Sequence, residues 1–190
     1  TRVVEFNNLA AMEAALAHGD VAAILMEPAM TNIGIVLPEK GYLEAVGKLA
    51  KKYGAVWIID ETHTISVGPG GMTKLYKLKP DMLTIGKAIA GGLPTGTFGM
   101  TKAIADQIAA KVKREIVDTG GIGSTLAGNA LSAAAMRVTL KSVLNEKNFK
   151  KMIALGTRWS DGVDAAIKEF GLPWHCNRLG ARGEYIFASK

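Results

Sequence analysis

Only one cysteine, Cys176, occurs among the 190 residues. That excludes a disulfide framework and any multi-cysteine zinc site, and it fits a reducing, cytoplasmic setting. Aromatic residues make up just 6% of the chain, and no lysine-rich stretch interleaves them with arginine as single-strand binders do, so nucleic acid is not an expected partner. The net charge of +6 reads instead as a solvated basic surface, with Lys48, Lys51 and Lys52 on one expected helix and Lys147, Lys150 and Lys151 on another. No apolar run approaches the ~18 residues that span a bilayer, and a membrane is likewise not expected as a partner. His18, His63 and His175 lack the spacing of metal ligands. Neither a P-loop, a G-x-G-x-x-G turn nor a G-x-S-x-G elbow is present, although Gly68-Pro69-Gly70-Gly71 forms a glycine-rich loop.

What is there is the composition of an ordinary globular domain: 48% hydrophobic, 21% charged and 22 glycines. Apolar runs alternate with helical periodicity. Strands are expected at Val3–Phe6, Val21–Met26, Ala55–Ile59, Met82–Ile85 and Gly96–Met100, with a last one at Tyr185–Ala188. Helices are expected from Asn8 to Ala17, Glu39 to Tyr53, and over 102–112, 128–146 and 147–169, with a glycine-rich loop over 113–124. Strands apolar on both sides and alternating with helices imply an α/β fold, a three-layer, mainly parallel sheet with helices on both faces. Residues 1–145 form this large domain in the expected division, and 146–190 begin a smaller C-terminal α+β domain.

In such sheets ligands lie beyond the carboxyl ends of the strands, which directs attention to Glu27-Pro28, to Asp60–Thr64 and to Gly86-Lys87. Asp60 ends the run Ala-Val-Trp-Ile-Ile. A carboxylate there is a helix cap, a structural ion-pair member or a partner for a bound cation. Lys87 is the only charged residue between Asp81 and Lys102. A lysine in such apolar surroundings either reaches solvent with its stem buried or serves as a desolvated amine. The two together, expected as a buried pair at neighbouring strand ends, suit pyridoxal phosphate: the lysine binds the cofactor aldehyde and the carboxylate keeps the ring nitrogen protonated. Gly120-Gly121-Ile122-Gly123-Ser124-Thr125, leading into a helix, offers donors for a phosphate, or else an ordinary N-cap.

The segments Met26-Glu27-Pro28, Ile58-Ile59-Asp60-Glu61-Thr62-His63-Thr64, Gly68-Pro69-Gly70-Gly71, Leu83-Thr84-Ile85-Gly86-Lys87-Ala88-Ile89-Ala90-Gly91-Gly92-Leu93-Pro94 and Ser124-Thr125-Leu126-Ala127-Gly128-Asn129 resemble, in order and spacing, class III pyridoxal phosphate-dependent aminotransferases of fold type I. The branch they resemble is that of glutamate-1-semialdehyde aminomutase and enzymes acting on β-amino acids. The resemblance implies that Lys87 is the Schiff-base lysine and proton shuttle and that Asp60 pairs with the pyridine nitrogen. It implies further that His63 contacts the cofactor near its phenolic oxygen, in place of the family's usual Gln or Met, and that Ser124 and Thr125 hold the phosphate across a homodimer interface. Asn32 stands where ω-amino acid members carry a glutamate. Arg182 is read either as a ligand for a substrate carboxylate or as an ion-pair partner of Glu184.

The implied activity moves an amino group between an amino acid or amine and a keto acid or aldehyde. The alternatives are an intramolecular 2,1-aminomutase and a catalytically inactive α/β binding domain. Family members are longer, so the chain is expected to be the cofactor-lysine portion of a larger enzyme.

Overall fold

A computed structural model of the chain describes residues 1–111 and 126–189. Its elements in chain order are α1 (Leu9–Leu16), β1 (Ala23–Met26), α2 (Tyr42–Tyr53), β2 (Val56–Asp60), α3 (Gly71–Leu75), β3 (Met82–Ile85), β4 (Thr97–Met100), α4 (Lys102–Lys111), α5 (Ala130–Val138), α6 (Glu146–Glu169), β5 (His175–Leu179) and β6 (Arg182–Ile186). Short 3₁₀ turns at Thr64–Val67 and Lys87–Ala90 follow β2 and β3.

The sheet has the order β1-β2-β3-β4. Its first three strands are parallel and β4 runs antiparallel to β3, in keeping with the α/β expectation. α2 makes the crossover between β1 and β2, and its boundaries follow from its residues. Glycines in the left-handed region cap both ends, Gly41 at φ 84° and Gly54 at φ 68°, while Glu44 opens the helix and Lys51 and Lys52 close it, each with the favourable sign for the helix dipole. Leu43, Val46 and Ala50 form the buried stripe, which packs with Leu16 of α1 against Trp57 and Ile59 of β2. Alternate residues of β2, including Asp60, face the other side and are half-buried.

Several expectations need correction. Val3–Phe6 is irregular, not a strand. β1 borders the sheet among the described residues, and its Leu25 is 68% exposed, so it is not the fully buried strand its apolar run suggests. The single helix expected over 128–146 is α5 followed by a π turn at Thr139–Val143, after which Asn145 caps α6 by accepting from the Asn148 N–H at 3.0 Å. The C-terminal strand is one arm of a hairpin. β5 and β6 pair antiparallel around Gly180-Ala181, where Gly180 supplies the positive φ (61°) that a two-residue turn needs. The hairpin lies on α6 and reaches the turn after β2, where the Ala181 N–H donates to the Ser66 carbonyl at 3.1 Å.

Candidate active site

The parallel pairing of β2 with β3 sets Asp60 beside Thr84, so the loops that leave these two strands emerge side by side. Asp60 is the last residue of β2 and is half-buried. Its Oδ1 accepts the Thr62 N–H at 2.8 Å, which folds the chain back over the strand end. No described residue donates to its Oδ2. Glu61, 1% exposed, turns away from the site. It accepts from the backbone N–H of Met72 at 3.1 Å and of Thr73 at 2.5 Å, from the Thr73 hydroxyl at 2.6 Å and from the Thr64 hydroxyl at 2.5 Å. The carboxylate thereby caps α3 and ties the whole glycine-rich segment to the end of β2.

Lys87 follows β3 by two residues and adopts φ 47°, a left-handed conformation rarely found for a long side chain. Strained backbone of this kind persists where the surroundings impose it and gathers at functional positions. Its amine comes within hydrogen-bonding reach of His63 Nε2. On the other side of the ring, Arg182 Nη1 donates to Nδ1 at 2.5 Å. Burial, and then the two neighbouring cations of Lys87 and Arg182, hold the His63 pKa below its usual 6.5, against the opposing influence of Glu27 and Asp60.

Asp60, His63 and Lys87 are therefore brought to one place, as the sequence suggests. Lys87 is exposed and Asp60 half-buried in this chain, so the expected burial of the pair is not found: the described residues leave that side of the strand ends open. Ser124 and Thr125, with Gly120–Gly123, lie outside the described residues. Asn32 is exposed beyond β1, and Glu27 accepts the hydroxyl of the buried Thr31 at 2.5 Å. Arg182 forms the ion pair with Glu184 that was one of its two readings. Its link to His63 was not foreseen. The two lie 119 residues apart in the chain, and the only local signal was the Leu-Gly-Ala-Arg turn that aims the hairpin inward.

Comparison with known proteins places the chain in a family. The pattern of the aminotransferase class-III family matches residues 3–170, and the chain belongs to that family. A glutamate-1-semialdehyde 2,1-aminomutase from Anaeromyxobacter dehalogenans is 36% identical over 193 residues, covering 100% of this chain and 43% of that protein. Among solved structures, a lysine-to-alanine variant of a glutamate-1-semialdehyde-aminomutase from Pseudomonas aeruginosa PAO1, in complex with PMP, is 46% identical with a TM-score of 0.94 and again covers 100% of this chain and 43% of that one. A β-phenylalanine aminotransferase from Variovorax paradoxus, at 23% identity and a TM-score of 0.84, shares the fold. The chain thus spans less than half the length of these relatives. No helix among the described residues is long and apolar enough to cross a membrane.

Proposed function

We propose that this chain carries the cofactor lysine of a pyridoxal phosphate-dependent enzyme that moves an amino group between an amino acid or amine and a keto acid or aldehyde. The observation that carries the reading is the convergence of Asp60, His63 and Lys87 at the carboxyl ends of neighbouring parallel strands in a class III chain.

The residues fit the cofactor chemically. Asp60 keeps one carboxylate oxygen without a described donor, as a partner for a protonated ring nitrogen. The Thr95 hydroxyl, whose backbone carbonyl adjoins Gly86, is buried and unpartnered among the described residues. When bound, pyridoxal phosphate supplies an aldehyde that condenses with amines and a ring that accepts electrons from the carbon losing its proton. Lys87 would hold that aldehyde through Nζ and would carry a proton at the same atom. Asp60 holds the proton on the ring nitrogen. His63 borders Lys87. Ser124 and Thr125 are assigned to the phosphate, supplied across a homodimer interface in the cytoplasm. Residues 1–145 belong to the large domain in this reading and 146–190 open the smaller one.

A second reading, an intramolecular 2,1-aminomutase, is favoured by the names of the relatives at 36% and 46% identity and requires the same residues. The test is borohydride reduction of the full-length protein with pyridoxal phosphate, followed by peptide mapping. A visible absorption band and a phosphopyridoxyl adduct on Lys87 are expected. Absence of both overturns the reading. Dependence of turnover on an added keto acid then separates transaminase from aminomutase.

A further inference from the structure

His63 lies between two side chains that, as cations, can only donate hydrogen bonds. Arg182 Nη1 donates to Nδ1 at 2.5 Å, and Lys87 Nζ faces Nε2. A guanidinium has no acceptor and keeps its protons throughout the accessible pH range. Nδ1 is therefore the bare nitrogen. A neutral imidazole with a bare Nδ1 carries its single proton on Nε2, where it points at Lys87 Nζ. Only a lysine nitrogen with a lone pair can accept it. An imidazolium would set a second proton on Nδ1 against the Arg182 donor.

The guanidinium is itself held from several sides. Its Nε donates to Glu184 Oε1 at 2.7 Å, and its Nη2 donates to the same oxygen and, at 2.8 Å, to the carbonyl of buried Thr31. The Gly180-Ala181 turn that precedes it is hydrogen-bonded to Ser66, within the 3₁₀ turn that follows His63. The charged groups around the imidazole are Lys87, Arg182, Glu27 and Asp60, with Glu184 behind Arg182. Burial, and with it the Arg182 guanidinium, favours the neutral ring.

We propose that Arg182 is a positioning residue for Lys87: it fixes His63 as the Nε2–H tautomer, so that the ring presents its proton to the lysine nitrogen and holds Nζ where it would capture the cofactor aldehyde. This rests on Lys87 being the cofactor lysine. Protonation of Nζ breaks the contact, because the histidine proton cannot move to Nδ1 while Arg182 donates there.

The test begins with the tautomer itself. In the cofactor-free full-length protein labelled with ¹⁵N-histidine, the signals that disappear in His63→Gln belong to His63. Their shifts and couplings should show an unprotonated Nδ1 and a protonated Nε2 at neutral pH. A protonated Nδ1 overturns the proposal without any need for a variant at Arg182. In Arg182→Met, the His63 signals should move toward a mixture of tautomers, and capture of added pyridoxal phosphate, followed by its visible band, should slow several-fold. Unchanged His63 signals in that variant also overturn it. If the wild-type protein forms the Lys87 adduct while either overturning result is seen, the relay alone fails. If no adduct forms on Lys87, the cofactor reading falls and takes the proposed role with it.

Discussion

Glu61 and Thr73 are joined twice, through the Thr73 backbone N–H and its hydroxyl, both donating to Oε1 at 2.5 and 2.6 Å. With Thr64 and Met72 on the other oxygen, a single carboxylate satisfies four donors, and it does so one residue beyond Asp60. Removing it leaves several buried donors unpaired, each worth about 1–3 kcal/mol and not fully additive. Glu61→Ala should therefore lower stability by about 3 kcal/mol or more, read as a drop in the urea midpoint with little change in slope. A loss below ~1 kcal/mol would mean that water takes over those donors.

Gly71 and Gly180 permit two close approaches that no other residue allows. Gly71 has φ 59°, and a Cβ there would enter the Glu61 carboxylate; Gly180 has φ 61°, and a Cβ there would meet Val67 Cα and lie 2.8 Å from the Ser66 carbonyl. Each substitution by alanine combines left-handed strain of about 1 kcal/mol with a clash. The consequences differ. Gly71→Ala acts on the glycine-rich segment and should cost stability. Gly180→Ala displaces the hairpin turn and with it Arg182, so it should also change the ¹⁵N signals of His63, and unaltered signals would show that the hairpin absorbs the added methyl.

Much of this was legible in the sequence, for local reasons. Met82–Ile85 is a continuous apolar pattern, and Asn8 caps α1 through its side chain as its position suggests; Asn129 and Asn145 also cap helices, but a helical pattern running over 128–146 conceals both. Asp60 and Lys87 stand out because strand ends are where parallel sheets place ligands, whereas His63 is singled out only by the family resemblance. Less legible was anything decided by distant partners. β5 reads His-Cys-Asn-Arg-Leu, with none of the apolar alternation that marks a strand. It exists because β6 pairs with it and α6 covers it. The exposure of Lys87 and of Leu25 depends on what surrounds the strand ends, which no local pattern encodes. Arg182 reaches His63 only because a hairpin turns back onto the loop after β2.

Gly47 opposes an ordinary expectation. In the middle of α2, replacing glycine with alanine normally stabilises by about 1 kcal/mol. Here an added Cβ would lie 2.7 Å from Cζ3 of Trp57, a ring only 5% exposed in the core. Overpacking of this kind costs about 1–3 kcal/mol, so Gly47→Ala should be neutral to destabilising in thermal unfolding. A clear rise in Tm would show that Trp57 swings aside at little cost.

Lys87 and Asp60 make separable demands on the cofactor. Lys87→Ala should abolish the borohydride-trapped adduct at this site and reduce turnover to background. Asp60→Asn keeps the shape but not the charge; it should still allow the adduct, while turnover falls by about 100-fold or more. Absorption spectra and kcat on the same preparations distinguish the two, and an Asp60→Asn enzyme with full turnover would remove the carboxylate from the proposed chemistry.

His63 links the site to stability through pH. Burial and the cations of Lys87 and Arg182 lower its pKa in the folded chain, while the unfolded chain titrates near the ordinary value of about 6.5. Between the two values the unfolded state binds more protons, so stability rises with pH across that window. The contribution is fully present above the unfolded value and is lost as pH falls toward the lowered folded value. His63→Gln removes the titrating ring. Its Tm should therefore decline less than that of the wild type between about pH 7 and pH 5, measured by calorimetry at constant ionic strength. An equally steep decline in both proteins would show that His63 accepts its proton in the folded state as readily as in the unfolded one, contrary to a partly buried imidazole beside the Arg182 guanidinium.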